Sequence, residues 1–112
     1  GPTPNQLSKL DLAALDTFIQ KHLPEPLPVS RLAGAVHRSV GHFHVLFRDA
    51  TGVTPYRYVC AMRLSRAREL LLETSLPLTE VASQVGFSSQ SALTHAFRRQ
   101  YGEPPGRLRR LH

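Results

Sequence analysis

The sequence is poor in several features that large functional classes require. In 112 residues it has one cysteine, Cys60, and no tryptophan. A single thiol excludes a disulfide framework and a thiolate metal cluster, and it fits a reducing, intracellular setting, so we expect a cytoplasmic protein. No run approaches the roughly 18 apolar residues that span a bilayer, and no signal peptide is recognisable. A membrane is therefore not a predicted partner.

Lysine is missing after Lys21, although the chain is basic. Residues 1–30 have a net charge of −1, whereas residues 31–112 contain 12 arginines against five acidic residues, which gives a total of +6. Arginine is the residue best suited to forked contacts with phosphate and guanine. The charge favours a polyanion, and nucleic acid first, as the partner. A solvated basic surface without a partner is the alternative.

Residue sets that carry catalysis are also missing. His42 and His44 are two residues apart, so on a helix their side chains point about 200° apart and cannot share a metal ion. No carboxylate or cysteine joins the six histidines at ligand spacing, and no Ser/His/Asp set, carboxylate pair or glycine-rich phosphate loop is recognisable. We therefore predict no enzymatic activity, with no catalytic residue, no metal site and no cofactor.

Glycine and proline divide the chain into short stretches of helical periodicity. Alternation typical of strands is missing, which indicates an all-α protein with seven helices. The helices are predicted from a Ser8 cap to about Leu23, from about Pro28 to Val36, from a Ser39 cap to about Thr51, from Pro55 to about Thr74, from Pro77 to Val85, from a Ser89 cap to about Tyr101, and from Pro105 onward.

An internal repeat organises the chain. Residues 27–36 correspond to residues 76–85 at an offset of 49, whereas residues 39–55 correspond to residues 89–105 at an offset of 50. The extra residue falls between paired helices, where a turn can absorb it. The repeat predicts two helix-turn-helix subdomains, residues 8–53 and 75–112, joined by a long central helix over residues 54–74. The opening Gly-Pro is typical of tag removal, so residues 1–7 are predicted to be a scar and a disordered start.

The third and sixth predicted helices each have two distinct faces. Their apolar faces comprise Phe43, Leu46, Phe47 and Ala50 in the first copy and Leu93, Ala96, Phe97 and Gln100 in the second. Their opposite faces comprise Gly41, His44, Val45 and Arg48 in the first copy and Ser91, Thr94, His95 and Arg98 in the second. Small and polar side chains followed by arginine suit a major groove. A helical protein-interaction module is the alternative, because it would explain valines at exposed positions.

The predicted central helix has a length that suits two groove-binding helices. Its 19 residues from Pro55 to Glu73 span roughly 28 Å at ~1.5 Å per residue. Successive major-groove segments on one face of a duplex lie ~34 Å apart. One chain could therefore contact two such segments.

From about Leu10 to Arg110 the sequence resembles the DNA-binding domain of AraC/XylS-family bacterial transcription regulators. The most specific likeness is Val81-Ala82-Ser83-Gln84-Val85-Gly86-Phe87-Ser88-Ser89, followed by Phe97-Arg98-Arg99 and Gly102-Glu103-Pro104-Pro105. The first copy and central helix match at Phe47-Arg48, Thr51-Gly52-Val53-Thr54-Pro55, Tyr58, Arg63-Leu64, Ala67 and Leu70-Leu71.

The resemblance implies sequence-specific binding of double-stranded DNA and regulation of transcription, with activation as the expected direction. By position, the base-reading residues are Val40, Gly41, His44, Val45, Gln90, Ser91, Thr94 and His95. The expected phosphate contacts are Arg38, Ser39, Arg48, Ser89, Arg98 and Arg99. Because the third helix, the first of the two base-reading helices, has Gly41 and Val45 where the family often has basic or amide side chains, we expect sharper base discrimination by the second unit.

The resemblance also implies partners and a location beyond the DNA site itself. Activators of the family contact RNA polymerase, so the polymerase is an expected partner, and the expected location is the bacterial nucleoid. We expect this domain to be monomeric, with dimerisation in a longer protein depending on a further domain.

Overall fold

The computed structural model describes residues 10–111. These residues form seven α-helices and no strand, which confirms the predicted all-α class. The helices are α1 (Leu12–Lys21), α2 (Val29–Ala35), α3 (Val40–Thr51), α4 (Pro55–Glu73), α5 (Leu78–Val85), α6 (Gln90–Tyr101) and α7 (Pro105–Leu111). None of these helices is long and apolar enough to cross a membrane.

The first helix begins at a different cap from the predicted one. Ser8 lies outside the described residues, as does the whole predicted start at residues 1–7. Helix α1 begins after Asp11, whose carboxylate accepts a hydrogen bond from the backbone N–H of Ala14 at 3.0 Å. Aspartate and serine are about equally good N-caps, so residue type alone did not decide between the two starts. The helix ends at Lys21, two residues before the predicted end.

The chain divides into two compact units. The first contains residues up to His22 together with Leu27–Val59, and the second contains Leu23–Pro26 together with residues from Cys60 onward. The first turn of α4 therefore belongs to the first unit and the rest of α4 to the second. The three-part division at residues 8–53, 54–74 and 75–112 remains a prediction.

The first unit has an aromatic core. Phe43 and Phe47 of α3 are fully buried and stack with their ring centroids 5.4 Å apart. Tyr58 of α4 meets Phe47 edge-on at 5.2 Å, and its hydroxyl donates a hydrogen bond of 2.5 Å to Asp16 of α1. Burial, with the neighbouring Asp16 carboxylate, raises the pKa of Tyr58 to about 12. These contacts hold α1 and the start of α4 against α3.

The second unit has an aliphatic core with one aromatic ring. Its buried residues are Leu64, Ala67, Leu70 and Leu71 from α4, Val81, Ala82 and Val85 from α5, and Leu93 and Phe97 from α6. Arg109 of α7 closes the C-terminal end of α4, because its guanidinium donates to the carbonyl oxygens of Leu71 at 3.2 Å and Thr74 at 3.1 Å, and also to that of Leu76. Carbonyl groups at a helix end lack helical partners, so this arginine stabilises the end of α4.

Two residues predicted on apolar faces are exposed. Ala50 and Gln100 lie at equivalent positions in the last turns of α3 and α6, and both face solvent. The buried side chains nearest the C-terminal ends of these helices are Phe47 and Phe97, and Ala50 and Gln100 lie beyond them. The prediction that these two residues face the core is therefore wrong.

Candidate nucleic-acid interface

Helices α3 and α6 begin in the same way. The hydroxyl oxygen of Ser39 accepts a hydrogen bond from the N–H of His42 at 3.3 Å, and that of Ser89 accepts one from the N–H of Ala92 at 3.1 Å. Serine is among the best N-caps, because it satisfies an N–H group that has no partner within the helix. Both predicted caps are confirmed, and they fix where the two exposed faces start.

The turns that lead into these helices also correspond. The carbonyl of Ala33 accepts from the N–H of Arg38, and the carbonyl of Ala82 accepts from the N–H of Phe87, both at 2.9 Å. Each turn contains one residue with positive φ, His37 at 58° and Gly86 at 95°. One residue separates His37 from its serine cap and two separate Gly86 from its cap, so the turn absorbs the extra residue of the second copy as predicted.

Each of the two helices ends at a glycine in the left-handed region. Gly52 has φ 73° and Gly102 has φ 82°. Their N–H groups donate to the backbone carbonyl oxygens of Arg48 and Arg98, both at 2.8 Å. A residue in this conformation terminates a helix, and glycine adopts it without steric strain. Both units therefore present an exposed helix of 12 residues with matched start and end.

The exposed face of α3 is largely apolar. Val40 is 43% exposed and Val45 is 60% exposed, and Gly41 and His44 are exposed beside them. An open depression of about 530 Å³ is lined by His44, Val45, Arg48, Val53 and Arg57, among others. The predicted residues Val40 and Gly41 do not line it. The loop after α3 thus lines one side of the depression.

The exposed face of α6 is polar. Gln90, Ser91, Thr94, His95 and Arg98 together line an open depression of about 500 Å³. Thr94 is half-buried and the other four are exposed. The structure therefore groups all four predicted base-reading residues of this unit with Arg98.

The arginines differ in whether the protein itself uses them. Within residues 10–111, five guanidinium groups form no hydrogen bond, ion pair or contact with an aromatic ring, those of Arg48, Arg57, Arg98, Arg99 and Arg110. Three of these five were predicted phosphate contacts. The fourth arginine that was predicted to contact phosphate, Arg38, is half-buried and has partners within the protein. Ser39 and Ser89 are exposed, and their hydroxyl oxygens accept the capping hydrogen bonds described above.

The remaining arginines serve the fold. Arg31 lies over the Phe18 ring and within 3.2 Å of the His22 ring nitrogen, and Arg68 lies over the Tyr101 ring. The side chain of Arg63 donates to the carbonyl of Glu25 at 2.8 Å. Arg66 pairs with Glu69 and Arg107 with Glu103.

Val53 and Arg57 lie beside the exposed face of α3, although the sequence patterns did not predict them there. Arg57 lies in the first turn of α4, and the hydroxyl of Thr54 accepts a hydrogen bond from its N–H at 3.2 Å. The sequence predicts that a helix starts at Thr54-Pro55 and therefore that Arg57 lies in its first turn. Whether Arg57 comes near Val45 depends on the direction of the chain after Gly52, which is known only from the structure.

Two other kinds of site, a metal centre and a reactive thiol, can be compared with the described residues. Among residues 10–111, no three His, Cys, Asp or Glu side chains come together at metal-binding distance. Burial raises the pKa of the half-buried Cys60 thiol, although Arg63 and Arg99 act in the opposite direction. A raised pKa leaves little thiolate, so this cysteine is a packed thiol and not an activated nucleophile.

The chain is similar in sequence to known helix-turn-helix transcription regulators. Residues 32–111 match a helix-turn-helix domain family. The chain is 36% identical over 108 residues to the RCS-specific transcriptional activator RclR of Escherichia coli K12, covering 94% of this chain and 38% of RclR.

Two solved structures are similar over almost the whole chain. The DNA-binding domain of the global transcriptional factor AdpA, in complex with a target DNA, matches with a TM-score of 0.83 and 34% identity, over 89% of this chain and 90% of that one. An AraC-type regulator from Chromobacterium violaceum matches with a TM-score of 0.83 and 27% identity, over 95% and 92%. The chain spans about two fifths of the length of the curated relatives it matches.

Proposed function

The chain belongs to the AraC family of DNA-binding transcription regulators, and we propose that α3 and α6 read two adjacent major-groove segments of one specific duplex. The observation that carries this proposal is the repeat of the exposed face. Helices α3 and α6 have the same serine cap, the same length and the same terminal glycine, and each presents a solvent-facing row that ends in an unpaired arginine. A single exposed helix is common, whereas two exposed helices with equivalent starts, lengths and ends in one chain indicate one kind of ligand contacted twice.

The polar face of α6 has the chemistry for direct base readout. The Gln90 amide can pair with the N6 and N7 positions of adenine, and Thr94 and His95 can donate or accept hydrogen bonds at base edges. Arg98 and Arg99 at the C-terminal part of the helix are unpaired and suit phosphate oxygens. We propose that Gln90, Ser91, Thr94 and His95 read bases while these arginines fix the register.

The first unit contributes fewer polar groups. Of its proposed base-reading residues Val40, Gly41, His44 and Val45, only His44 carries a hydrogen-bonding side chain. We propose that Arg48, with the cap at Ser39, positions this unit on the DNA backbone. Base discrimination by hydrogen bonds is then concentrated in the second unit.

A selection of bound duplexes from a random library, followed by affinity measurements, tests this function. We expect an enriched operator, and we expect Gln90→Ala, Thr94→Ala and His95→Ala to weaken binding to that operator about tenfold or more each, since one good base contact contributes about 1–3 kcal/mol of discrimination. Binding to a scrambled duplex should change little. Gln100→Ala is the matched control, because Gln100 is exposed on the same helix outside the proposed face.

Two outcomes of this experiment would contradict the proposal. Equal loss on operator and scrambled duplex would show that these residues supply only non-specific affinity. A library that yields no enriched sequence would contradict sequence-specific binding altogether.

We also propose that the whole protein activates transcription through contact with RNA polymerase. The relative RclR, named as a transcriptional activator, supports the direction of control. A reporter gene placed behind the selected operator tests it. Rising expression is the expected result, and falling expression would identify a repressor.

A further inference from the structure

The two proposed recognition faces differ in chemistry at equivalent positions. Val40 of α3 corresponds to Gln90 of α6, and Val45 corresponds to His95. Both valines are substantially exposed, at 43% and 60%. The first unit therefore presents apolar groups where the second presents hydrogen-bonding groups, and a ligand edge that suits the second face does not suit the first.

These valines contribute little to the fold. Isolated exposed apolar residues are common on proteins, but a β-branched residue is also a relatively poor helix former. The core of the first unit is filled from the opposite face of α3 by Phe43 and Phe47. Val53, 41% exposed in the loop after α3, lines the same depression as Val45. Among residues 10–111, seven large hydrophobic residues are exposed, and three of them, Val40, Val45 and Val53, lie on α3 or in the loop that follows it.

Only one apolar group projects from base edges into the major groove, the C5 methyl of thymine. The other major-groove groups are hydrogen-bond donors and acceptors, which a valine side chain would desolvate without replacing their partners. A row of thymine methyls is therefore the feature of a duplex that matches Val40 and Val45.

Gly41 removes an obstacle to close contact. A Cβ atom added at Gly41 would meet nothing within 4 Å, so the fold itself does not require a glycine there. Glycine in a helix costs up to about 1 kcal/mol relative to alanine. Its bare backbone lets the first turn of α3 come near a base edge, which a side chain as short as valine needs in order to touch it.

Positive charge beside the valines matches a DNA strand as the occupant of this face. Arg48 and Arg57 line the depression together with Val45, and within residues 10–111 their guanidinium groups form no ion pair. Phosphate contacts orient a protein on the duplex, whereas base-edge contacts supply the specificity. The arrangement is apolar at the proposed base-reading positions and cationic next to them.

We propose that the first unit selects its half of the operator by packing Val45, together with Val40, against the C5 methyl groups of thymine. This inference rests on the proposed function and names the chemical feature that α3 recognises. The ligand is a thymine-containing major-groove edge of duplex DNA, and no hydrogen bond to those bases is involved.

Substitution of thymine by deoxyuridine tests the inference, because it deletes only the methyl group. In the selected operator, each thymine of the half contacted by the first unit is replaced singly by deoxyuridine, and the affinity of the whole chain is measured. At one or two positions we expect a loss of about fourfold, the fold-change that corresponds to burial of one methyl-sized group. Val45→Ala should bind the thymine operator more weakly and lose the sensitivity to deoxyuridine at those positions.

Two control variants complete the experiment. Leu72→Ala shortens an exposed apolar side chain, 43% exposed on α4, outside both proposed faces, and should keep the full deoxyuridine effect. His95→Ala should weaken binding while leaving the effect in the first half-site unchanged. Because Val45 is not part of the core, an unchanged melting temperature should show that Val45→Ala remains folded.

The possible results separate this inference from the proposed function. If deoxyuridine binds as well as thymine at every position of the first half-site, the methyl contact is refuted while sequence-specific binding stands. Equal sensitivity of Val45→Ala and the unaltered chain would likewise refute the role of Val45. Failure to select any operator would overturn both proposals.

Discussion

At the scale of single residues, the two copies of the repeat solve one backbone problem differently. The turn before α3 and the turn before α6 each contain a residue with positive φ, which is His37 in the first copy and Gly86 in the second. A side chain in this conformation costs roughly 1–2 kcal/mol because its Cβ crowds the backbone. At Gly86 the cost would be larger, because a Cβ would lie 2.1 Å from the carbonyl oxygen of Leu23 and 2.8 Å from Arg63 Nε.

This difference predicts opposite effects of two substitutions. His37→Gly should raise the free energy of unfolding by about 0.5–1 kcal/mol, since relief of strain exceeds the extra freedom that glycine gives the unfolded chain. Gly86→Ala should lower the free energy of unfolding by at least about 2 kcal/mol, through strain and the close contact with Leu23. Urea denaturation measures both. Lower stability of His37→Gly would show that the histidine side chain makes a stabilising contribution that outweighs its strained φ.

At the scale of elements, the serine caps belong both to the fold and to the proposed DNA contacts. Ser39 and Ser89 accept hydrogen bonds at the starts of α3 and α6, where the helix dipoles and unpaired N–H groups also favour an anion such as phosphate. A substitution that keeps the cap but adds negative charge separates the two roles.

Ser39→Asp and Ser89→Asp should therefore weaken DNA binding without destabilising the protein. Aspartate caps a helix about as well as serine, so the melting temperature should change little. The added carboxylate would face phosphate, and like charges at an interface cost enough to reduce affinity by at least about tenfold. Asp11→Ser, the reverse exchange at the cap of α1, is the matched control and should leave affinity unchanged. Full DNA affinity in both aspartate variants would place the starts of α3 and α6 away from the phosphates.

At the scale of the whole molecule, internal contacts reduce the number of arginines that remain for a polyanion. Of the 12 arginines, five have guanidinium groups that form no hydrogen bond, ion pair or contact with an aromatic ring within residues 10–111. Arg109, by contrast, is held by the carbonyl groups at the end of α4. The arginines thus fall into two groups, and only the group without internal partners is proposed to neutralise phosphate.

The salt dependence of binding should reflect that smaller number. If about five phosphates are neutralised, the logarithm of the binding constant should fall with the logarithm of salt concentration with a slope of about −4 to −5. Arg48→Ala should make the slope shallower by about 1, whereas Arg66→Ala, which removes an arginine paired with Glu69, should not change it. Measurements from 50 to 200 mM salt decide the point. A flat response would contradict groove binding.

Local signals in the sequence predict the all-α class and most of the helix ends, although α1 begins and ends elsewhere than predicted. Proline, glycine and serine act locally, so the caps at Ser39 and Ser89, the ends at Gly52 and Gly102 and the shift of the repeat within the turn were all predictable. Periodicity also gave the exposed faces of α3 and α6, because residues on one side of a helix follow from spacing alone. The eight base-reading residues stay a prediction that DNA binding must test.

Tertiary structure decided what depends on residues distant in sequence. The apolar face of α3 ends at Phe47, so Ala50 is exposed, because the extent of the core is set by the partners of a helix and not by its own periodicity. Arg109 lies in an arginine-rich stretch at the C-terminal end of the sequence, yet its guanidinium donates to carbonyl groups more than 30 residues away. Likewise, the turn at Gly52 brings Val53 and Arg57 beside Val45. The sequence could not predict this, because charge and hydropathy carry no information about the direction of a chain after a turn.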